Sequence, residues 1–129
     1  MARLIHTMIR VANLDASIAF YRNAFDLDEK HRLDFPSFTL VYLANDESPA
    51  EIELTFNKNQ SEPYEHGTAY GHVAFSVEDL EATHAALQAS GILPTDLKQI
   101  EQNGHVARFF FVTDPDGYKI EVLQRGGHY

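Results

Sequence analysis

Two histidines and two glutamates carry the first suggestion of chemistry in this chain: His6 and His72 lie 66 residues apart, and Glu53 and Glu121 lie 68 apart. Each glutamate stands in the same local pattern, Ile52-Glu53-Leu54 and Ile120-Glu121-Val122. A neutral imidazole and a carboxylate are good ligands for a divalent first-row metal, and a set of two nitrogens and two oxygens leaves room for water in an octahedral shell. The chain has no cysteine, so any metal must be held by nitrogen and oxygen, and cysteine nucleophiles and disulfide frameworks are excluded together. Taken singly, each of the four has an ordinary reading, as a packed or exposed strand histidine or as the solvent-side residue of a half-buried strand. Their recurrence at matching positions is the stronger signal.

The elements that must position them are written twice. Ile5, Thr7, Ile9 and Val11 alternate with His6, Met8 and Arg10, which predicts a strand with His6 on its polar face. Asn13 offers a cap to a helix predicted over residues 14–25, where Leu14, Ile18, Tyr21 and Phe25 recur at helical spacing. Residues 26–37 read as polar and irregular. Residues 38–43 and 50–56 then read as strands joined by a turn-rich segment, with Glu51, Glu53 and Thr55 sharing a face. The polar stretch 57–70, with Pro63 and Gly67, marks an internal boundary that divides residues 1–62 from 63–129.

At Gly71 the pattern restarts. With His72 laid on His6, Val77 falls on Val11, Leu80 on Leu14, Ala82 on Ala16 and Ala85 on Ala19. A second helix is predicted over residues 79–90, stopped by Gly91. A polar loop, a strand at 106–112 and the turn Asp114-Pro115-Asp116-Gly117 lead into a last strand, 118–123, which sets Glu121 on the face opposite Ile120 and Val122. Self-similarity at a near-constant offset marks a duplicated unit, each copy reading strand, helix and about three strands. The other histidines fit no repeated position: His31, His66 and His105 fall in predicted loops, His84 in the second helix and His128 in the tail, and all five read as non-ligands.

Composition narrows the partners. At 129 residues, 44% hydrophobic and 22% charged, the chain has the makings of an ordinary globular core. No apolar run approaches the roughly 20 residues of a membrane span, and the N-terminal residues carry no secretory pattern, so the cytoplasm is the default expectation. A formal charge of -9, from 10 basic and 19 acidic residues, disfavours binding to a phosphate backbone and points to small-molecule partners.

Four blocks, His6-Thr7-Met8-Ile9-Arg10-Val11, Ile52-Glu53-Leu54-Thr55-Phe56-Asn57, Gly67-Thr68-Ala69-Tyr70-Gly71-His72 and Asp114 to Glu121, are spread along almost the whole length of the chain. Together they resemble glyoxalase I (lactoylglutathione lyase) of the short bacterial type, in the vicinal oxygen chelate superfamily. The resemblance implies an α+β fold of two tandem βαβββ modules, with curved mixed sheets and helices outside. It implies one divalent metal per site, nickel or cobalt favoured and zinc possible, held by His6, Glu53, His72 and Glu121. It further implies a homodimer in which the first module of one chain faces the second module of its partner across each metal. The implied reaction isomerises the hemithioacetal of methylglyoxal and glutathione to S-lactoylglutathione through an enediolate, with Glu121 as the favoured base and Glu53 the second. Arg10 and Asn57 match positions that hold the glutathione, and an arginine fork suits a carboxylate.

Two features depart from that pattern. A Lys-Gly-Gly loop is replaced by Lys98-Gln99-Ile100-Glu101-Gln102-Asn103-Gly104, which leaves the thiol as glutathione or a related compound. Asp26 replaces the glycine that ends the first helix, with a local change expected. Two rival readings share the fold: an extradiol-type dioxygenase, whose two histidines and one carboxylate are at odds with Glu53, and a metal-free antibiotic-binding protein, in which the ligand positions are typically lost.

Overall fold

In the computed structural model, which describes residues 1–129 throughout, the order strand, helix, three strands occurs twice. The chain divides into units Met1–Glu65 and His66–Tyr129. The first holds β1 (His6–Arg10), α1 (Leu14–Phe25), β2 (Asp28–Asp34), β3 (Phe38–Ala44) and β4 (Glu51–Asn57). The second holds β5 (Val73–Val77), α2 (Leu80–Ala89), β6 (Lys98–Gln102), β7 (His105–Thr113) and β8 (Lys119–Gln124). The sheets have equivalent orders, β1-β4-β3-β2 and β5-β8-β7-β6. In each, the first strand pairs in parallel with the last and the other pairs are antiparallel, so both sheets are mixed and the α+β reading holds.

Alternation decides which residues are left for chemistry. In the first unit Ile9, Val11, Val41, Leu43, Ile52 and Leu54 are buried, together with Tyr21 and Phe25 of α1. In the second, Phe110, Val112, Ile120 and Val122 are buried, together with Leu80 and Leu87 at α2. Glu53 and Glu121, each flanked by two of these residues, and His6, three residues before Ile9, therefore project from the opposite sheet face. Both helices start on a side-chain cap: Asn13, as expected, accepts from the Ala16 N–H at 3.0 Å, and Asp79 accepts from that of Ala82 at 2.9 Å. At the end of α1, Asp26 takes the left-handed conformation (φ 53°, ψ 32°) and its N–H reaches the Arg22 carbonyl. The missing glycine is thus absorbed at one residue.

Two expectations are corrected. Residues 26–37 are not irregular, because β2 runs through them, and the loop expected at 98–104 contains β6. Both strands lie at the outer edge of their sheets, and every residue in both is exposed. An edge strand with so little buried surface shows no apolar alternation, and its charges guard the free edge against pairing with another chain. The turn after β6 did leave a sign: Asn103-Gly104, with φ of 53° and 79°, is the dipeptide that favours a two-residue hairpin with both central residues left-handed.

Candidate functional site

In the first unit, Glu53 is placed by the parallel pairing of β1 and β4, in which its direct partner is Met8, two residues past His6. Residues two apart on a strand share a face, and the His6 Nε2 comes to 3.1 Å from Glu53 Oε2. The second unit repeats the arrangement. Ala74, two residues past His72, is the direct partner of Glu121, and His72 Nε2 lies 2.8 Å from Glu121 Oε2. His72 itself sits one residue ahead of β5 rather than within it.

The turn that delivers Glu121 is held by one side chain. Asp114, buried, accepts from the N–H groups of Asp116 and Tyr118, each at 2.9 Å, and Gly117 closes the loop at φ 86° with its N–H on the Asp114 carbonyl. An Asx turn of this kind satisfies backbone donors that would otherwise be stranded at the start of β8.

Sequence reasoning missed the residues that flank each pair. Tyr42 on β3 stands directly opposite Glu53, with its ring edge-on to His6 at 5.7 Å. Burial first, then the neighbouring Glu53 carboxylate and the charge of Glu51, push the Tyr42 hydroxyl pKa up, so it stays protonated. His31 lies on β2 rather than in a loop, as the register partner of Tyr42 with its ring 6.0 Å away. In the second unit Phe111 occupies the place of Tyr42, opposite Glu121 and edge-on to His72 at 5.4 Å. Nothing local in the sequence reveals these pairings, because hairpin register sets them.

The donors suit a first-row metal ion. Two ligands bonded at about 2.1 Å and at right angles to one another are about 3 Å apart, and the two His–Glu separations bracket that value, which also suits a His–Glu hydrogen bond. No three His, Cys, Asp or Glu side chains come together anywhere in the chain, so each unit presents two donors. Of the residues expected to hold a thiol, Arg10 ends β1 and is exposed, while Asn57 ends β4 and donates through Nδ2 to the Tyr64 hydroxyl at 3.2 Å. The remaining histidines do not join either pair: His66 stacks on Tyr118 at 4.1 Å, and His84 bonds the Thr95 carbonyl at 2.9 Å through Nε2.

A family described as the glyoxalase/bleomycin resistance protein/dioxygenase superfamily matches residues 3–122. The chain belongs to the glyoxalase superfamily. Within it, the chain is 43% identical over 126 residues to the lactoylglutathione lyase of Haemophilus influenzae, covering 95% of this chain and 92% of that relative. It is similar in structure to the trypanothione-dependent glyoxalase I of Leishmania major, with a TM-score of 0.77 and 36% identity across 96% of this chain and 87% of the other. Glyoxalase I from Zea mays also matches, at a TM-score of 0.82 and 28% identity, over 97% of this chain and 45% of that one. No helix in this superfamily member is long and apolar enough to cross a membrane.

Proposed function

We propose that this chain is a glyoxalase I, a lactoylglutathione lyase that isomerises the hemithioacetal of methylglyoxal and glutathione, or of a related thiol, to the corresponding S-lactoyl thioester. The observation that carries the reading is the His–Glu pair built twice, once in each unit, in a chain 43% identical to a lactoylglutathione lyase. His6 and Glu53 of one chain with His72 and Glu121 of a second complete a four-ligand set, and each unit's two donors are the half-share that such a homodimer requires.

His6, Glu53, His72 and Glu121 would hold a divalent ion, nickel or cobalt ahead of zinc, which when bound would supply Lewis-acid charge to the substrate. The chain's own residues then move the proton. Glu121 takes it from the carbon that bears sulfur, leaving an enediolate, and returns it to the neighbouring carbon, while the hydroxyl proton passes between the two oxygens, so that no atom is gained or lost. Glu53 is the second candidate for this step. Arg10 and Asn57 hold the thiol moiety, the guanidinium by pairing with a carboxylate. The trypanothione dependence of the Leishmania major relative supports keeping thiols other than glutathione in view.

The decisive experiment assays metal-loaded protein with methylglyoxal and a panel of low-molecular-weight thiols across nickel, cobalt, zinc and iron. Thioester formation with at least one pairing is the expected result; none, in protein shown to hold metal, overturns the reading and favours a dioxygenase or binding role. The shared site has its own test. Mixed dimers of His6→Ala and Glu121→Gln chains carry one intact four-ligand set, so activity should return on mixing. A hybrid that forms and stays inactive would rule out the cross-chain arrangement.

A further inference from the structure

At the position facing each glutamate, the two corners differ by one hydroxyl group. Tyr42 and Phe111 hold equivalent places: each stands opposite the glutamate of its unit across an antiparallel pair, and each turns a ring edge to the histidine, at 5.7 Å and 69° for Tyr42 and at 5.4 Å and 83° for Phe111. Tyr42 alone carries a donor, and it stands directly across the β3–β4 pair from Glu53, on the same sheet face. The Tyr42 ring is also braced from behind, since its register partner on β2, His31, packs against it at 6.0 Å with the planes tilted by 30°. On the other side Phe111 has only an apolar brace, the edge of Phe109 at 5.9 Å.

We propose that Tyr42 is a positioning residue that fixes Glu53 as a static metal ligand and thereby leaves proton transfer to Glu121. The inference rests on the glyoxalase reading above and deepens it. A carboxylate that carries a proton from one carbon to the next must swing between them. Glu53 is engaged by the His6 ring nitrogen and faces a tyrosine, whose hydroxyl can donate to it, whereas Glu121 is engaged by the His72 ring nitrogen and faces a phenylalanine, which cannot. An O–H donor on a carboxylate is a short, charge-assisted bond that restricts rotation, and hydrogen bonds of this kind behind a ligand set its orientation. The near-symmetric fold therefore holds two chemically unequal carboxylates, and the inequality lies outside the four ligands.

The test pairs Tyr42→Phe, which makes the two corners alike, with Phe111→Tyr, which adds the missing hydroxyl to the second. Melting curves establish that each variant folds. Cobalt affinity by chelator competition and the visible spectrum of the cobalt-loaded protein report on the ligand field without any turnover. Tyr42→Phe should weaken cobalt binding about tenfold and alter the spectrum. It should also narrow the gap in turnover between Glu53→Gln and Glu121→Gln, because a freed Glu53 shares the proton transfer. Phe111→Tyr should lower turnover while keeping cobalt affinity. If the unmodified protein binds cobalt and forms thioester but Tyr42→Phe leaves affinity, spectrum and gap unchanged, the proposal is wrong while the function stands. An unmodified protein that holds no cobalt would overturn the proposed function and this inference with it.

Discussion

In the first unit His6 meets Glu53 across the parallel β1–β4 pair with Tyr42 beside them; in the second, His72 meets Glu121 across β5–β8 with Phe111 in the same place. The first pair is also the more enclosed, with side-chain exposures of 32% for His6 and 12% for Glu53 against 43% for His72 and 17% for Glu121. The units diverge again at the position four residues past each histidine, where Arg10 in the first corresponds to Ser76 in the second. Duplication thus preserved the two-donor corner and left its surroundings free to specialise. What the comparison teaches is that near-symmetric ligands need not share the work equally, because the work depends on what stands behind them.

The largest effect should come from separating the two carboxylates. Glu121→Gln should lower kcat by about 10³-fold, within the range of a lost general base. Glu53→Gln should act mainly on metal retention, so that its kcat at saturating metal falls less. Steady-state kinetics alongside metal analysis reads both, and equal losses in kcat would erase the functional distinction between the units. Next in size, Arg10→Ala should raise KM about tenfold for a carboxylate-bearing thiol, the scale of a lost charge-assisted hydrogen bond, with kcat little changed. Ser76→Ala, at the equivalent place, should leave both constants near their starting values.

Smaller effects test the frame around the corners. The first helix ends on Asp26 at φ 53° and the second runs into Gly91 at φ 88°. A methyl group at Gly91 meets no atom, so Gly91→Ala should cost about 1 kcal/mol from backbone conformation alone. Asp26→Gly should be near neutral, relief of the left-handed strain offsetting the added freedom of the unfolded chain; thermal melts read both.

The outer strands differ as well, since β2 is anchored by Lys58, whose Nζ lies 2.7 Å from both Asp34 Oδ1 and the Phe35 carbonyl. Hydrogen bonds from Lys58 and then Thr39 hold the Asp34 carboxyl below its ordinary range. A depressed folded-state pKa contributes stability above the ordinary value of about 4, and that contribution is lost as pH falls through the folded value. Lys58→Met should therefore lower the melting temperature slightly at neutral pH, with the difference vanishing under acid. A difference that persisted there would mean that Lys58 acts through packing rather than charge.

Much of this architecture was legible because burial is periodic. The strand His6–Arg10, the helix Leu14–Phe25 with its Asn13 cap, the strand carrying Glu53 and the Asp114 to Gly117 turn all follow from alternation, helical spacing or turn chemistry that local residues display. The edge strands β2 and β6 were not legible, because a strand exposed along its length carries no apolar rhythm. Asn103-Gly104 was a readable signal for β6 that the polar composition of residues 98–104 masked.

By itself, the sequence determined the duplicated unit, the faces of its central strands and the four residues of the two His–Glu pairs, since each is encoded in local order and in its repetition. Only the tertiary structure decided that Met8 and Ala74 lie across from the glutamates, and that one glutamate faces the tyrosine Tyr42 while the other faces the phenylalanine Phe111. Those facts depend on strand register, and register is set by how whole sheets bury their faces, a property of many residues acting together rather than of any stretch read in order.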